Sequence, residues 1–251
     1  MTLNASETML HNAKILSPYV APILVYRQGE TNAASWLTGA TAFIAKTTEN
    51  RFLVTAEHVI AEIEKLRNQH PITVYLGGNG CAPIDISNWG TLDGDSHVDI
   101  CTLQIPQDFD PQILNKRFFD LDDWPHPRAQ VQDSAMIIGF PAEHRSGASS
   151  SIEIRLTPIN DFVTDVGPRR FTIADENEER EILLRVDGFD VPDCFGGMSG
   201  SPIFRMIEDE RPEFIGVFSE GSGGLRGTFF GAHADFISPN GQLDYNKIPP
   251  R

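Results

Sequence analysis

Three side chains in this sequence have the types and settings needed for nucleophilic catalysis. Ser199 sits in "GGMSGS", residues 196 to 201, where glycines crowd around a hydroxyl just before the apolar run "PIF". A serine hydroxyl becomes a useful nucleophile when a constrained turn exposes it, an imidazole takes its proton and a carboxylate orients that imidazole. Two backbone N–H groups must also aim at the oxyanion that develops. Gly197 and Gly200 permit a sharp turn, and the N–H groups of Gly197 and Ser199 can point to one side of it. A Gly/Ser cluster taken alone is equally a tight hairpin turn.

Among the histidines, His58 ends the apolar run "RFLVTA" and begins an amphipathic stretch, so it stands where a rigid element reaches the surface. On context alone it is either the base or a structural histidine. His11, His70, His126 and His144 lie in settings without rigid apolar surroundings, and His233 lies on a late strand candidate. For the carboxylate, Asp99 opens the run "VDICTLQI", and an aspartate entering such a run needs partners because an unpaired buried carboxylate is expensive. Asp93 and Asp95 in "LDGDS" read as ordinary turn residues.

The elements that must position these groups are mainly strands. Runs rich in β-branched and aromatic residues, separated by turn signals, recur about a dozen times, from "APILVYRQ" and "TGATAFIA" to "EFIGVFSEG" and "GTFFGAHADF". The spacing predicts an all-β fold of two lobes. Helix is confined to a stretch after His58, where Val59, Ile60, Ile63 and Leu66 share a face, and to residues 6 to 16. We expect an N-terminal extension over 1–20, a first lobe over 21–128, a second over 129–237 and a weakly structured tail over 238–251. The acidic run "DENEEREI", residues 175 to 182, reads as a solvated hairpin tip.

The length, 251 residues, suffices for a large core without staples, and the net charge of −15 argues against nucleic acid or an anionic membrane as partner. Cys81, Cys101 and Cys194 are odd in number and widely spaced, which suits neither a disulfide framework nor a zinc site. With no signal-like segment or spanning run, the expectation is a cytoplasmic chain with no cofactor and no metal.

The motifs "VTAEHVI", "HVDICTLQI" and "GGMSGSPIF" resemble, in this order, the His, Asp and Ser motifs of the trypsin-like serine peptidases of chymotrypsin fold, over about residues 20 to 237. "IIGFP", residues 137 to 141, resembles the opening strand of the second barrel in bacterial members. The resemblance implies two six-stranded antiparallel β-barrels with the site in the cleft between them. It also implies a protein or peptide substrate, His58 as base, Asp99 as its orienting partner, Ser199 as nucleophile, and the N–H groups of Gly197 and Ser199 as oxyanion hole. In the family the residue six before the nucleophile lies at the floor of the S1 pocket; here it is Asp193, which implies a preference for Arg or Lys, unless Asp193 after Pro192 is a solvent-facing turn residue. "SEGSGG", beginning at Ser219, resembles the segment that pairs with the substrate backbone, with Gly221 and Gly227 lining the pocket.

Three departures from the family matter. Val59 replaces the usual cysteine after the histidine, and Cys194 lacks an obvious mate. Met198 replaces the aspartate that zymogen-type members place before the nucleophile, so activation by an inserted N-terminus is not expected, and restraint by a regulatory protein partner or an effector is. Ser201 replaces the more usual glycine before the proline. An α/β-hydrolase elbow, which requires G-x-S-x-G, is spoiled by Ser201 and by the lack of strand–helix alternation. The remaining rival is a catalytically inactive scaffold of the same fold that binds peptides or a partner protein.

Overall fold

The computed structural model describes residues 5–30, 35–78, 80–148, 151–174, 194–207, 211–222 and 227–251. Asp193 and the acidic run 175–182 lie outside these residues. The first lobe is built on β1 (Val20–Arg27), β2 (Trp36–Lys46), β3 (Arg51–Thr55), β4 (Ile72–Leu76), β5 (Ile84–Asp85), β6 (Thr91–Asp95), β7 (Ile100–Gln104) and β8 (Phe119–Asp120). These strands form an eight-stranded sheet in the order β5-β4-β1-β2-β3-β7-β6, with the short β8 added parallel to β2. In the second lobe β9 (Ser134–Gly139), β12 (Thr157–Val166), β13 (Arg170–Ile173), β14 (Pro202–Arg205), β15 (Glu213–Gly221) and β16 (Phe229–His233) close a six-stranded antiparallel barrel. β10 (Arg145–Ala148) and β11 (Ser151–Ile154) form a separate hairpin.

The two-residue period of a strand explains how the lobes join. Ala40, Ala42 and Ile44 of β2 face the core of the first lobe, and Phe43 and Ala45 between them face a core shared with the second. β9 does the same from the other side: Ala135 and Ile137 enter the barrel, while Met136 and Ile138 enter the shared core. There Phe43 meets Phe204 and Phe214 at ring-centroid distances of 5.6 and 4.8 Å. Full burial of each such side chain contributes about 1.5–3 kcal/mol, so the lobes are held in one orientation by core packing.

Helix α1 (Ala5–Leu16) adds Met9, Ala13 and Leu16 to that shared core, the i, i+4, i+7 face of an amphipathic helix. The segment 238–251, expected to be weakly structured, is instead docked on the first lobe. Gly241 O accepts from Thr102 Oγ1 at 2.6 Å, and Leu243 is buried. Asp93, read from sequence as a turn residue, lies in β6 and accepts from Leu243 N at 3.0 Å and Tyr245 Oη at 2.8 Å. β6 was hidden because its sequence, "TLDGD", carries turn-type residues that serve here to hold a second segment.

Candidate active site

His58 is the second residue of α2 (Glu57–Gln69), entered directly from β3 through Ala56. The first amides of a helix have no partner within it, and Ala56 supplies no side-chain cap. Asp99 fills that role from the turn just before β7: its Oδ1 accepts from His58 N at 2.9 Å. The same carboxylate meets the imidazole, with Nδ1 at 3.0 Å from Oδ1 and 2.8 Å from Oδ2. One group therefore caps the helix and fixes the ring. With Nδ1 donating to the carboxylate, Nε2 carries the lone pair. The bond to Asp99 raises the His58 pKa above 6.5 against the opposing effect of burial, with Asp99, Glu62 and Glu57 adding charge in the same direction.

Asp99 can do this because its backbone is left-handed, φ 57°. That region is sterically costly for most residues, but Asp and Asn tolerate it. The loop before it is set by Asp95, whose Oδ1 accepts from His97 N at 2.6 Å and Val98 N at 3.3 Å.

The segment carrying Ser199 is anchored by two apolar side chains, Phe195 and Met198, both sunk in the barrel core. Met198 thus occupies its position as a packing residue. Between and after the anchors, Gly197 and Gly200 take φ of 89° and 85°. The amides divide into two groups. Met198 N donates to Phe195 O at 3.0 Å, Gly200 N to Phe218 O at 2.9 Å and Ser201 N to Met198 O at 2.9 Å. Gly197 N and Ser199 N have no acceptor among the described residues. The Ser199 hydroxyl donates to Ser219 O at 3.4 Å and makes no hydrogen bond to His58.

Thr41 of β2 joins the halves of the site. Its N donates to Ser199 O at 3.0 Å, and its Oγ1 donates to Gly197 O at 2.8 Å while accepting from Phe140 N at 3.0 Å. Its carbonyl accepts from Thr55 Oγ1 at 2.9 Å, in the strand that leads to His58. Gly200 must be glycine for a second reason, since a Cβ there would stand 2.2 Å from Thr55 Oγ1 and 2.3 Å from Thr41 O. Sequence reasoning missed Thr41. The available signal was a polar residue on the buried face of an apolar strand.

His58, Asp99 and Ser199 line one cavity of about 720 Å³ between the lobes. Ser219 and Gly221 lie on its wall, and Gly227, buried two residues before β16, is not among the residues that line it. Cys194, Phe195 and Gly196 form its rim beside the serine. Arg169, whose Nη1 donates to His97 Nδ1 at 3.2 Å, and Arg170, paired with Glu220 at 2.9 Å, complete the wall; none of these was singled out from sequence. The buried histidines, unlike His58, serve packing. His126, expected to lack an apolar setting, is buried against Phe214, and burial lowers its pKa to about 4. His233 lies inside the barrel with Nε2 2.8 Å from Gly167 O. All three cysteines are free thiols, and no group of residues suited to a metal ion occurs among the described residues. No described helix is long and apolar enough to cross a membrane.

No protein-family model matches the chain, and no curated protein matches its sequence. Solved structures do. The crystal structure of Deg5 superposes with a TM-score of 0.55 at 15% identity, covering 94% of each chain. A thermostable serine protease, AL20, from an extremophilic microorganism gives a TM-score of 0.49 at 14% identity, over 88% of this chain and 92% of its own. The first of these likenesses, spanning both lobes, is a likeness of fold.

Proposed function

We propose that this chain, which has the chymotrypsin fold of the trypsin-like serine peptidases, is a serine endopeptidase acting on protein substrates through an acyl-enzyme. The observation that carries the reading is the pairing of His58 with Asp99 through both ring and backbone, in the same cavity as a serine flanked by two unengaged amides. Rotation of the Ser199 side chain away from Ser219 O brings its hydroxyl toward Nε2 of His58, which takes the proton as Oγ attacks the scissile carbonyl. Apo sites commonly hold this contact long and tighten it only with substrate bound. The imidazolium that forms is stabilised by Asp99, and the negative oxygen is held by the N–H groups of Gly197 and Ser199. His58 then protonates the leaving amine, and a water activated by the same ring releases the acyl group.

Specificity for Arg or Lys at P1 is part of the proposal and rests on Asp193, six residues before the nucleophile. Faster cleavage of a P1 Leu or Phe reporter than of its Arg counterpart would overturn that part alone. A fluorophosphonate probe tests the whole: the wild type labels and Ser199→Ala does not. A folded wild type that refuses the probe under all conditions, yet binds peptides in the cleft, would favour the inactive scaffold.

A further inference from the structure

A second cavity, of about 700 Å³, lies away from the catalytic cleft and shares no lining residue with it. It opens between the end of α1 and the turn Pro111–Leu114 of the connector. Lys14, Lys116 and Arg117 line it, and no carboxylate does, in a chain with 35 acidic residues against 20 basic ones. Lys14 and Arg117 are exposed and make no ion pair or side-chain hydrogen bond among the described residues. Asp108 and Asp110 line an adjoining groove that shares Gln112, Lys116 and Arg117, and Asp110 is turned to its own capping duty, accepting from Gln112 N at 3.0 Å.

The walls are tied together. Arg117 N donates to Pro18 O at 2.8 Å, Lys116 N to Pro111 O at 3.0 Å, and the buried Lys116 Nζ to Ser17 O at 3.0 Å. Capping of the carbonyl end of α1 accounts for Lys116, and the helix dipole accounts for Lys14. Neither accounts for Arg117, exposed and without an ion pair among the described residues beside a space the size of a small-molecule site. Burial holds Lys116 down to about 8, which still leaves it charged at neutral pH.

We propose that this cavity binds a small phosphorylated molecule, its phosphate groups held by the exposed Lys14 and Arg117 with the buried charge of Lys116 behind them. Phosphate suits the set better than a single carboxylate: it brings two or more charges to three cations, and its oxygens accept the paired N–H groups of a guanidinium. The Gln112 amide and the Tyr19 hydroxyl on the same walls are available to the rest of the ligand.

Isothermal titration of the full chain with inorganic tripolyphosphate at low ionic strength tests this. Binding of one ligand per chain is expected, weakening with added salt. Arg117→Gln and Lys14→Gln should each weaken it by about tenfold or more, the size of one lost charge-assisted contact. Both side chains are exposed, so the variants should melt with the wild type, and Arg67→Gln on α2, paired with Glu64, should bind normally. Absence of binding at millimolar tripolyphosphate, unchanged affinity in Arg117→Gln, or equal affinity for citrate would each overturn the assignment. The outcome is independent of the catalytic reading, since Ser199→Ala should bind tripolyphosphate as the wild type does.

Discussion

Asp99→Asn is the most informative single change. Asn has the same size and tolerates the left-handed backbone at φ 57°, so the loop should keep its shape. The amide oxygen can still accept from His58 N, now at 2.9 Å from Oδ1, and so keep the helix capped. The amide nitrogen then replaces Oδ2, which stands 2.8 Å from Nδ1. A donor there forces Nδ1 to accept and moves the ring proton to Nε2, the atom that takes the proton of Ser199 in the proposed mechanism. For a comparable triad this exchange lowers kcat by about 10⁴-fold, or about 5.4 kcal/mol at about 1.36 kcal/mol per factor of ten. The pH profile gives a second reading. Only the neutral ring is a base, so kcat/KM rises as pH climbs through the His58 pKa, which Asp99 raises above 6.5. Without the carboxylate that limb should move to lower pH. Stability follows the same linkage: the raised pKa stabilises the fold fully below about 6.5 and the contribution fades as pH rises through the folded value. Steady-state kinetics with a peptide reporter from pH 5 to 9, beside thermal melts, would measure all three. A rate within about tenfold of wild type, or an acid limb that stays in place, would refute the reasoning.

Thr41→Val keeps the shape of the side chain and strips Gly197 O and Phe140 N of their shared partner. We expect a loss of about 2–4 kcal/mol in denaturant titrations, and a fall in kcat larger than any rise in KM, because the proposed mechanism uses Gly197 N as an oxyanion donor. Ser201→Ala should be neutral or stabilise by about 1 kcal/mol, since the buried Ser201 Oγ has no hydrogen-bond partner. Gly139→Ala would put a Cβ 1.9 Å from that oxygen, and the double variant Gly139→Ala/Ser201→Gly should recover part of the loss, a coupling of about 0.5–3 kcal/mol readable by a thermodynamic cycle. Asp93→Ala releases Leu243 N and Tyr245 Oη, and faster hydrogen exchange across 241–247 together with a loss of about 1–2 kcal/mol is expected.

What could be read from the sequence, and what could not, follows from how far each residue's reason lies along the chain. Strands such as "TGATAFIA" and "SAMIIG" announce themselves because burial imposes a two-residue period on neighbouring positions. The glycines around Ser199 were legible for the same reason: their backbone angles are a local demand. Asp93 was misread because its partners lie about 150 residues away, and the segment 241–247 that it holds has no periodicity of its own. Met198 was read as the absence of an aspartate, whereas its side chain belongs to the barrel core on which the turn is pinned.

Thr41 shows why a candidate site of this kind is partly hidden in principle. His58 and Asp99 come from the first lobe and Ser199 from the second, so nothing local can set the distance between them. Each lobe folds around its own core, and the shared core of Phe43, Phe204 and Phe214 fixes their orientation only as well as apolar packing can, without direction. Directional bonds must do the rest, and four of them converge on Thr41: two to the serine turn, one to Phe140 just past the end of β9 and one to the strand that leads into His58. A buried threonine with all its polar atoms engaged across two lobes is costly to misplace, which makes it a stiff coupling between the elements that carry His58 and Ser199. That is the physical reason for expecting Thr41→Val to act on kcat, although Thr41 touches neither His58 nor the cavity.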